Sequence, residues 1–385
     1  MSPHPTIVII GAGVLGLSTA VHLQARLQST SSPGGPPTTR PRILLVAKEW
    51  PADAALPDGR SPSPDYASMW AGAHVRPIPA ATTQLRREAK WLRSTVAEFR
   101  RQVAASGPAC GVTPARGVEL LDAPDASYRD QDAAAFAAET ALSGYRKLQT
   151  SEVPEGVELG YEYDTFCVNP PVYCAGLLRR FLLGGGTTLR QHLRSEWEAF
   201  CLADHVELVV NASGAGFCDE NVIPTRGQTV LTDVDVPATV TRQHADGIWS
   251  FLIPRFLDGG TIVGGTKQPG DMRSTPCPDT RAQLLTKGLP LQPLAHARGA
   301  DPPAGAIKTI EDVGVLSDAV GRRPTRTGGM RLEMERRGSL VVIHAYGAGG
   351  RGYEMSWGIA EEVVDMAVPL VGCCGSESGA RGARG

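Results

Sequence analysis

The run Thr6–Ile10, TIVII, passes directly into GAGVLG at 11–16 and then into LSTAVHLQARLQ. No other feature of the chain narrows its fold as much. A continuous β-branched run suits a parallel strand covered on both faces, and the stretch after the glycines carries apolar residues at helical spacing. Gly11 permits the tight turn out of the strand. Gly13 lets backbone N–H groups approach a pyrophosphate at the helix N-terminus, and Gly16 lets helix and strand pack closely. Val14 and Leu15 lie inside this turn and count among the candidate cofactor contacts. A second apolar run, RILLVAK at 42–48, completes a β-α-β unit and ends at Lys48-Glu49. An acid that binds ribose hydroxyls is expected roughly 20 residues beyond the glycines. Glu49 follows Gly16 by 33 positions (49 minus 16). The intervening segment 29–41, STSSPGGPPTTRP, reads as a surface insertion, and removing it restores ordinary spacing.

The 385 residues suffice for two hydrophobic cores, and 42% hydrophobic with 20% charged content is that of a globular protein. A formal charge of −2 without a long basic run argues against a nucleic-acid partner. No apolar stretch approaches the roughly 18 residues of a membrane span, so no membrane partner is expected. The N-terminus lacks a basic segment ahead of its apolar run and reads as a strand, not a secretory signal. Eight cysteines, at 110, 167, 174, 201, 218, 277, 373 and 374, form no CxxC pair and no zinc-type cluster. We read them as free, mostly buried thiols of a reducing compartment and expect no metal.

Further along, 82–104 has the pattern of one amphipathic helix, and 205–211, HVELVVN, that of a buried strand ending at ASGAG. TRGQTVL, SFLIPR and TIVGGT are short β-rich runs of antiparallel type. The last unit is a strand, SLVVIHAYG, a turn, AGGRGY, and a helix, EMSWGIAEEVVDMA; the tail 373–385 reads as disordered. The expected class is α/β. A Rossmann-type dinucleotide domain comprises 1–68, 168–224 and 317–372, and a mostly antiparallel-sheet substrate domain comprises 69–167 and 225–316.

The first glycine motif does not separate FAD from NAD. The second unit, HAYGAGGRGY at 344–353, offers another positive helix end. A flavin needs such a donor where negative charge gathers on reduction. An ordinary β-α turn explains one or two glycines, but four occur between 347 and 352. In AVGRRPTRTGGMRLE, Arg323 precedes a proline and suits a fork-shaped clamp on carboxylate. Taken alone, it reads more readily as one more surface or ion-paired arginine beside Arg322, Arg326 and Arg331.

The segments VIIGAGVLGLSTA, DYASMWAGAH, VVNASGAG, RGQTVL, IPR with GGT, VGRRPTR and HAYGAGGRGYEMSWG, in this order, resemble the D-amino-acid and D-aspartate oxidase family over nearly the whole chain. The resemblance implies FAD as cofactor, a small D-amino acid and O2 as reactants, and oxidative deamination to a 2-oxo acid, ammonia and H2O2. It implies that Arg323 holds the substrate α-carboxylate and that the Gly350 carbonyl accepts a hydrogen bond from the amine. It places Gly11, Gly13, Glu49, Gly72, Ala73, Ser213, Gly349, Gly352 and Tyr353 against FAD. Some positions depart from the family. Phe251 stands where a tyrosine is usual, Trp249 falls near a second family tyrosine, and Ala348 replaces a frequent histidine. The chain ends Ala383-Arg384-Gly385 without a Ser-Lys-Leu-like address, so the expected location is cytoplasmic, or peroxisomal by another route.

For the substrate side chain, Arg242 lies 16 positions after Arg226 (242 minus 226), the offset at which D-aspartate oxidases carry a distal arginine. Lys267 sits where those enzymes tend to be basic, and His74 where fungal-type enzymes line the pocket. Cations here would offset the cost of burying a second carboxylate and would be left unpaired by a neutral substrate. Exposed loop charges are the other reading of Arg242 and Lys267. The sequence therefore leans to D-aspartate or D-glutamate over neutral D-amino acids. Glycine- or sarcosine-type oxidases, an NAD-dependent dehydrogenase and a non-catalytic flavoprotein fit parts of the pattern.

Overall fold

A computed structural model describes residues 5–29, 40–55, 63–296 and 305–371. Most of the expected insertion and all of the tail from 373 lie outside the described residues.

Two sheets organise the chain. The first has six strands in the order Arg331–Arg337, Leu340–Tyr346, Val206–Asn211, Thr6–Ile10, Arg42–Ala47 and Thr187–Arg190. All pairs are parallel except the antiparallel edge formed by Arg331–Arg337. The apolar run at 6–10 is buried throughout because alternate residues serve different layers. Ile7 and Ile9 join the core shared with Leu17, Leu23, Trp91, Phe99 and Ile359. Val8 and Ile10 face the other way, against Val209, Val342 and Leu193. The helices Val14–Ser29 and Gly352–Ala367 pack side by side, so both glycine turns open at the same end of this sheet.

The second sheet has ten strands. Its path runs Gln268–Pro269, Val222–Thr232, Thr261–Gly264, Trp249–Pro254, Ala238–Gln243, Val112–Leu121, Leu159–Val168 and Ala73–His74. It is antiparallel except where Ala238–Gln243 pairs parallel with Val112–Leu121. Val315–Arg326 also pairs antiparallel with Val222–Thr232. Residues 317–326, grouped by sequence with the dinucleotide half, are therefore hydrogen-bonded into the second sheet.

The helix Thr83–Ser106, capped by the Thr82 hydroxyl accepting from the Leu85 N–H at 3.1 Å, was grouped with the substrate half. It bridges the halves: it packs on Gly352–Ala367, where the Trp357 and Gly358 N–H groups both donate to Thr95 Oγ1, and also on Ala133–Thr140, where Arg93 donates to the Glu139 carbonyl. Composition along the chain cannot register such cross-packing, because an amphipathic helix fits any apolar face of matching shape.

The cysteines correct one expectation. Among the described residues six are unpaired thiols, but only Cys167 and Cys174 are buried, while Cys201 and Cys218 are exposed. No helix of the described residues is long and apolar enough to cross a membrane.

Candidate active site

A cavity of about 1070 Å³ runs from the first glycine turn to Arg323, between the two sheets. Its walls divide into a cofactor end made mostly of backbone and a substrate end made mostly of side chains.

At the cofactor end, Gly11 has φ +105°, and a side chain there would run into the Ala212 carbonyl. A Cβ on Gly16 would lie 1.9 Å from the Gly11 carbonyl oxygen, so the helix can sit this close to the strand only with glycine at 16. The turn is bare backbone at the positive end of a 16-residue helix, a cradle for a pyrophosphate. Glu49 lies just beyond the strand Arg42–Ala47 on the cavity wall, its carboxylate accepting from the Ser63 N–H at 2.6 Å and Oγ at 2.8 Å. Lys48, Gly72, Ala73, Ser213, Gly349, Gly352 and Tyr353 also line the cavity. The second turn is tied to the substrate strand, since the Gly349 N–H donates to the Pro324 carbonyl at 2.9 Å. These donors, turns and dimensions fit FAD: one helix end for the diphosphate, an acid beyond the second strand, and another helix end deeper in the cavity.

At the substrate end, Arg323 is the arginine that differs from its neighbours. Arg322 pairs with Asp65, Arg326 with Asp219 and Arg331 with Glu333 and Glu335. Among the described residues no carboxylate pairs with Arg323; its Nη1 donates to the Thr266 carbonyl at 3.1 Å. Burial lowers its pKa, a sign that its charge is held in a poorly solvated place. Gly227 makes room for it, since a Cβ there would lie 2.4 Å from Nη1. Gly350 lies alongside: a Cβ built on it would come 3.4 Å from Arg323 Cδ. Trp249 and Phe251 follow each other on the cavity face of their strand, with Thr241 opposite Phe251. Phe251 is a wall with nothing to donate.

His74 lines the cavity with its Nδ1 2.8 Å from Thr239 Oγ1. Burial first, and the Arg76 charge second, lower its pKa to about 3. The ring is therefore neutral at physiological pH. Lys267 is exposed at the cavity wall.

Arg242 overturns an expectation. It is not part of the cavity wall. Its Nε and Nη2 donate to Asp122 at 2.9 and 3.2 Å, and Nη2 also reaches the Glu155 carbonyl. The reason is strand alternation. Thr241, opposite Phe251, points into the cavity, so Arg242, opposite Ser250, points to the other face. A sequence offset locates the strand, but one position of error reverses the face.

Several residues of the site escaped the sequence reading. The Tyr66 hydroxyl donates to the Ala12 carbonyl at 2.6 Å, and Ser68 Oγ accepts from the Val14 N–H at 3.1 Å, pinning the short helix Ala67–Trp70 over the first glycine turn. Arg351 pairs with Glu88 and Glu354 on the cavity wall. Arg76 reaches the cavity two residues beyond His74. Its signal was present: alternation from His74 puts Arg76 on the same side. Away from the cavity, Glu196, Glu335 and His344 bring ligand-type atoms within 4.8 Å of one another, but Arg331 and Arg337 already pair with Glu335.

The family model described as "DAO: FAD dependent oxidoreductase" matches residues 6–366. The chain is 46% identical to a D-aspartate oxidase of Talaromyces thermophilus, over 94% of this chain and 95% of that one. It is 30% identical to a D-amino-acid oxidase of Fusarium vanettenii, over 94% and 96% of the two chains. Among solved structures, a glycine oxidase of Geobacillus kaustophilus superposes with a TM-score of 0.66 at 16% identity, covering 95% of each chain, a likeness of fold.

Proposed function

The chain belongs to the DAO family of FAD-dependent oxidoreductases, and from that premise we propose that it oxidises acidic D-amino acids, D-aspartate foremost. The balanced reaction is D-amino acid plus O2 plus H2O giving 2-oxo acid, ammonia and H2O2. FAD, when bound, takes the two electrons of the Cα–N bond oxidation and delivers them to O2. What the chain contributes is placement. Arg323 receives the α-carboxylate through its unpaired donors, the Gly350 carbonyl orients the amine, and Trp249 and Phe251 close the wall and exclude water. Holding reactants in a productive geometry contributes up to roughly 7–11 kcal/mol of barrier lowering, which suits a site with no side-chain base assigned.

One observation carries the reading: a half-buried arginine with no carboxylate partner among the described residues, projecting beside the second glycine turn in the cavity that also holds the dinucleotide cradle. The lean to acidic substrates is supported by the cations of the substrate end and by the 46% identity to a D-aspartate oxidase. The unpaired thiols suit the cytoplasm or the peroxisome, which imaging of the tagged chain would distinguish.

Anaerobic mixing of the yellow holoprotein with D-aspartate, D-alanine and L-aspartate tests the proposal. The expected result is rapid loss of flavin colour with D-aspartate, slower loss with D-alanine and none with L-aspartate. Equal or faster bleaching by D-alanine removes the acidic preference, and bleaching by no D-amino acid removes the oxidase.

A further inference from the structure

We infer that Arg76 receives the side-chain carboxylate of the substrate; the inference rests on the acidic-oxidase reading above and assigns its specificity to a residue. Arg76 follows His74 by two positions in an extended segment whose Val75 N–H donates to the Phe166 carbonyl. Alternation therefore turns His74 and Arg76 to the cavity while Val75 is buried. Pro77 follows, restricting Arg76 to extended backbone as Pro324 restricts Arg323. The two arginines of the substrate end are thus both set by the same local device.

Two contacts hold the Arg76 head and a third holds its backbone. Its guanidinium carbon lies 4.0 Å above the centre of the Trp249 ring. Its Nε donates to Glu119 Oε2 at 2.8 Å, and its backbone N–H donates to Glu354 Oε2 at 2.8 Å. Glu119 is almost wholly buried and stands with Tyr163, whose hydroxyl reaches Oε1 at 3.3 Å. Glu119 uses only the Nε edge of the fork. Tyr128 is a further side-chain hydrogen-bond partner of the guanidinium, while Nη2 is buried with no hydrogen-bond partner among the described residues. A planar guanidinium fixed by Glu119, Tyr128 and the Trp249 ring, with Nη2 uncommitted, is preorganised to hold another carboxylate.

The other cations of the substrate end fit this role less well. Arg242 is bound bidentately by Asp122 behind the sheet, and Arg351 pairs with both Glu88 and Glu354. Lys267 is exposed, so its flexible, hydrated ammonium attracts anions without selecting strongly among them. Arg323 is reserved for the α-carboxylate. A dicarboxylate therefore spans Arg323 and Arg76 across the Trp249–Phe251 wall, whereas an uncharged side chain leaves the Arg76 donors unpaired, a larger penalty than a missing methylene.

The test compares kcat/KM for D-aspartate and D-alanine in the holoenzyme. Arg76→Met combined with Glu119→Gln removes cation and counter-charge together, leaving no buried orphan carboxylate. The D-aspartate to D-alanine ratio is expected to fall about 100-fold, mainly through KM for D-aspartate. Arg76→Lys, which keeps the charge beside Glu119, is expected to lower the ratio about 10-fold and covers the case in which the double variant does not fold. Arg242→Met combined with Asp122→Asn is expected to leave the ratio as in the parent. An unchanged ratio in the Arg76 variants, or a collapse of it in the Arg242 pair, overturns the inference while the oxidase reading stands. A parent protein that oxidises D-alanine as readily as D-aspartate overturns the acidic reading and this inference with it.

Discussion

The two ends of the cavity are built on opposite principles. The cofactor end is backbone: two glycine turns, each continuous in sequence and each leading into a helix that packs on the other. The substrate end is side chain: His74 and Arg76, Trp249 and Phe251, Lys267 and Arg323 come from four separate stretches. At Gly11 and Gly16 the backbone cradle tolerates no added side chain, because the extra atoms fall on carbonyls that cannot move. A side-chain pocket tolerates exchange and answers with a change of substrate. The contrast explains how one fold can hold the same cofactor while admitting different substrates.

The largest effect that sharpens this contrast is expected from Gly16→Val. With a Cβ already overlapping the Gly11 carbonyl, the helix must leave the strand. The variant is expected to yield little soluble protein and no yellow colour, as flavin absorbance on purification will report. Normal flavin content in this variant would break the contrast at its root.

Arg323→Ala is next. With the proposed carboxylate clamp gone, kcat/KM is expected to fall by on the order of 10²–10⁴-fold. Flavin content should stay near that of the parent. Loss of colour in step with activity would make Arg323 a structural residue and place it at the wrong end.

Gly227→Ala probes the border between the two principles. Here a glycine serves a side chain, and its Cβ would press on the Arg323 guanidinium. A displacement costing about 1–3 kcal/mol predicts a loss of kcat/KM of about 10-fold or somewhat more, with flavin binding unchanged. Steady-state kinetics beside a flavin titration check both halves.

The smallest effect concerns pH. His74 has its folded pKa lowered to about 3, against 6.5 for an ordinary histidine. The neutral ring is the form the fold accepts, so stability is complete above pH 6.5. It declines as pH falls from 6.5 toward 3, where the unfolded chain takes up a proton that the folded chain refuses. His74→Gln should therefore soften the loss of thermal midpoint between pH 7.5 and pH 5 by about 2–4 °C. The same midpoint drop in parent and variant would show that His74 titrates normally and is open to solvent.

The dinucleotide turn, the helix behind it and Glu49 could be read directly because each depends on neighbours in the chain. Glycine at 11, 13 and 16 is a local requirement, and period-2 and period-3.6 patterns are local signals. Arg323 is singled out in the sequence only through the ordered resemblance, since its own segment does not separate it from Arg322 and Arg326. What separates them is which carboxylates meet them: Asp65 and Asp219 reach Arg322 and Arg326 from across the fold, Glu333 and Glu335 neutralise Arg331 from its own strand, and among the described residues none reaches Arg323. Arg242 and Arg76 make the same point in opposite directions. A strand's two faces differ by a single position, and which face meets the cavity depends on Asp122 waiting behind one and Trp249 lying before the other. The sequence by itself determined the class, the cofactor cradle and the family, because these rest on contiguous backbone. Only the tertiary structure decided which cations reach the cavity wall and which donors they keep free there, because partners distant in sequence set what each one has left to offer.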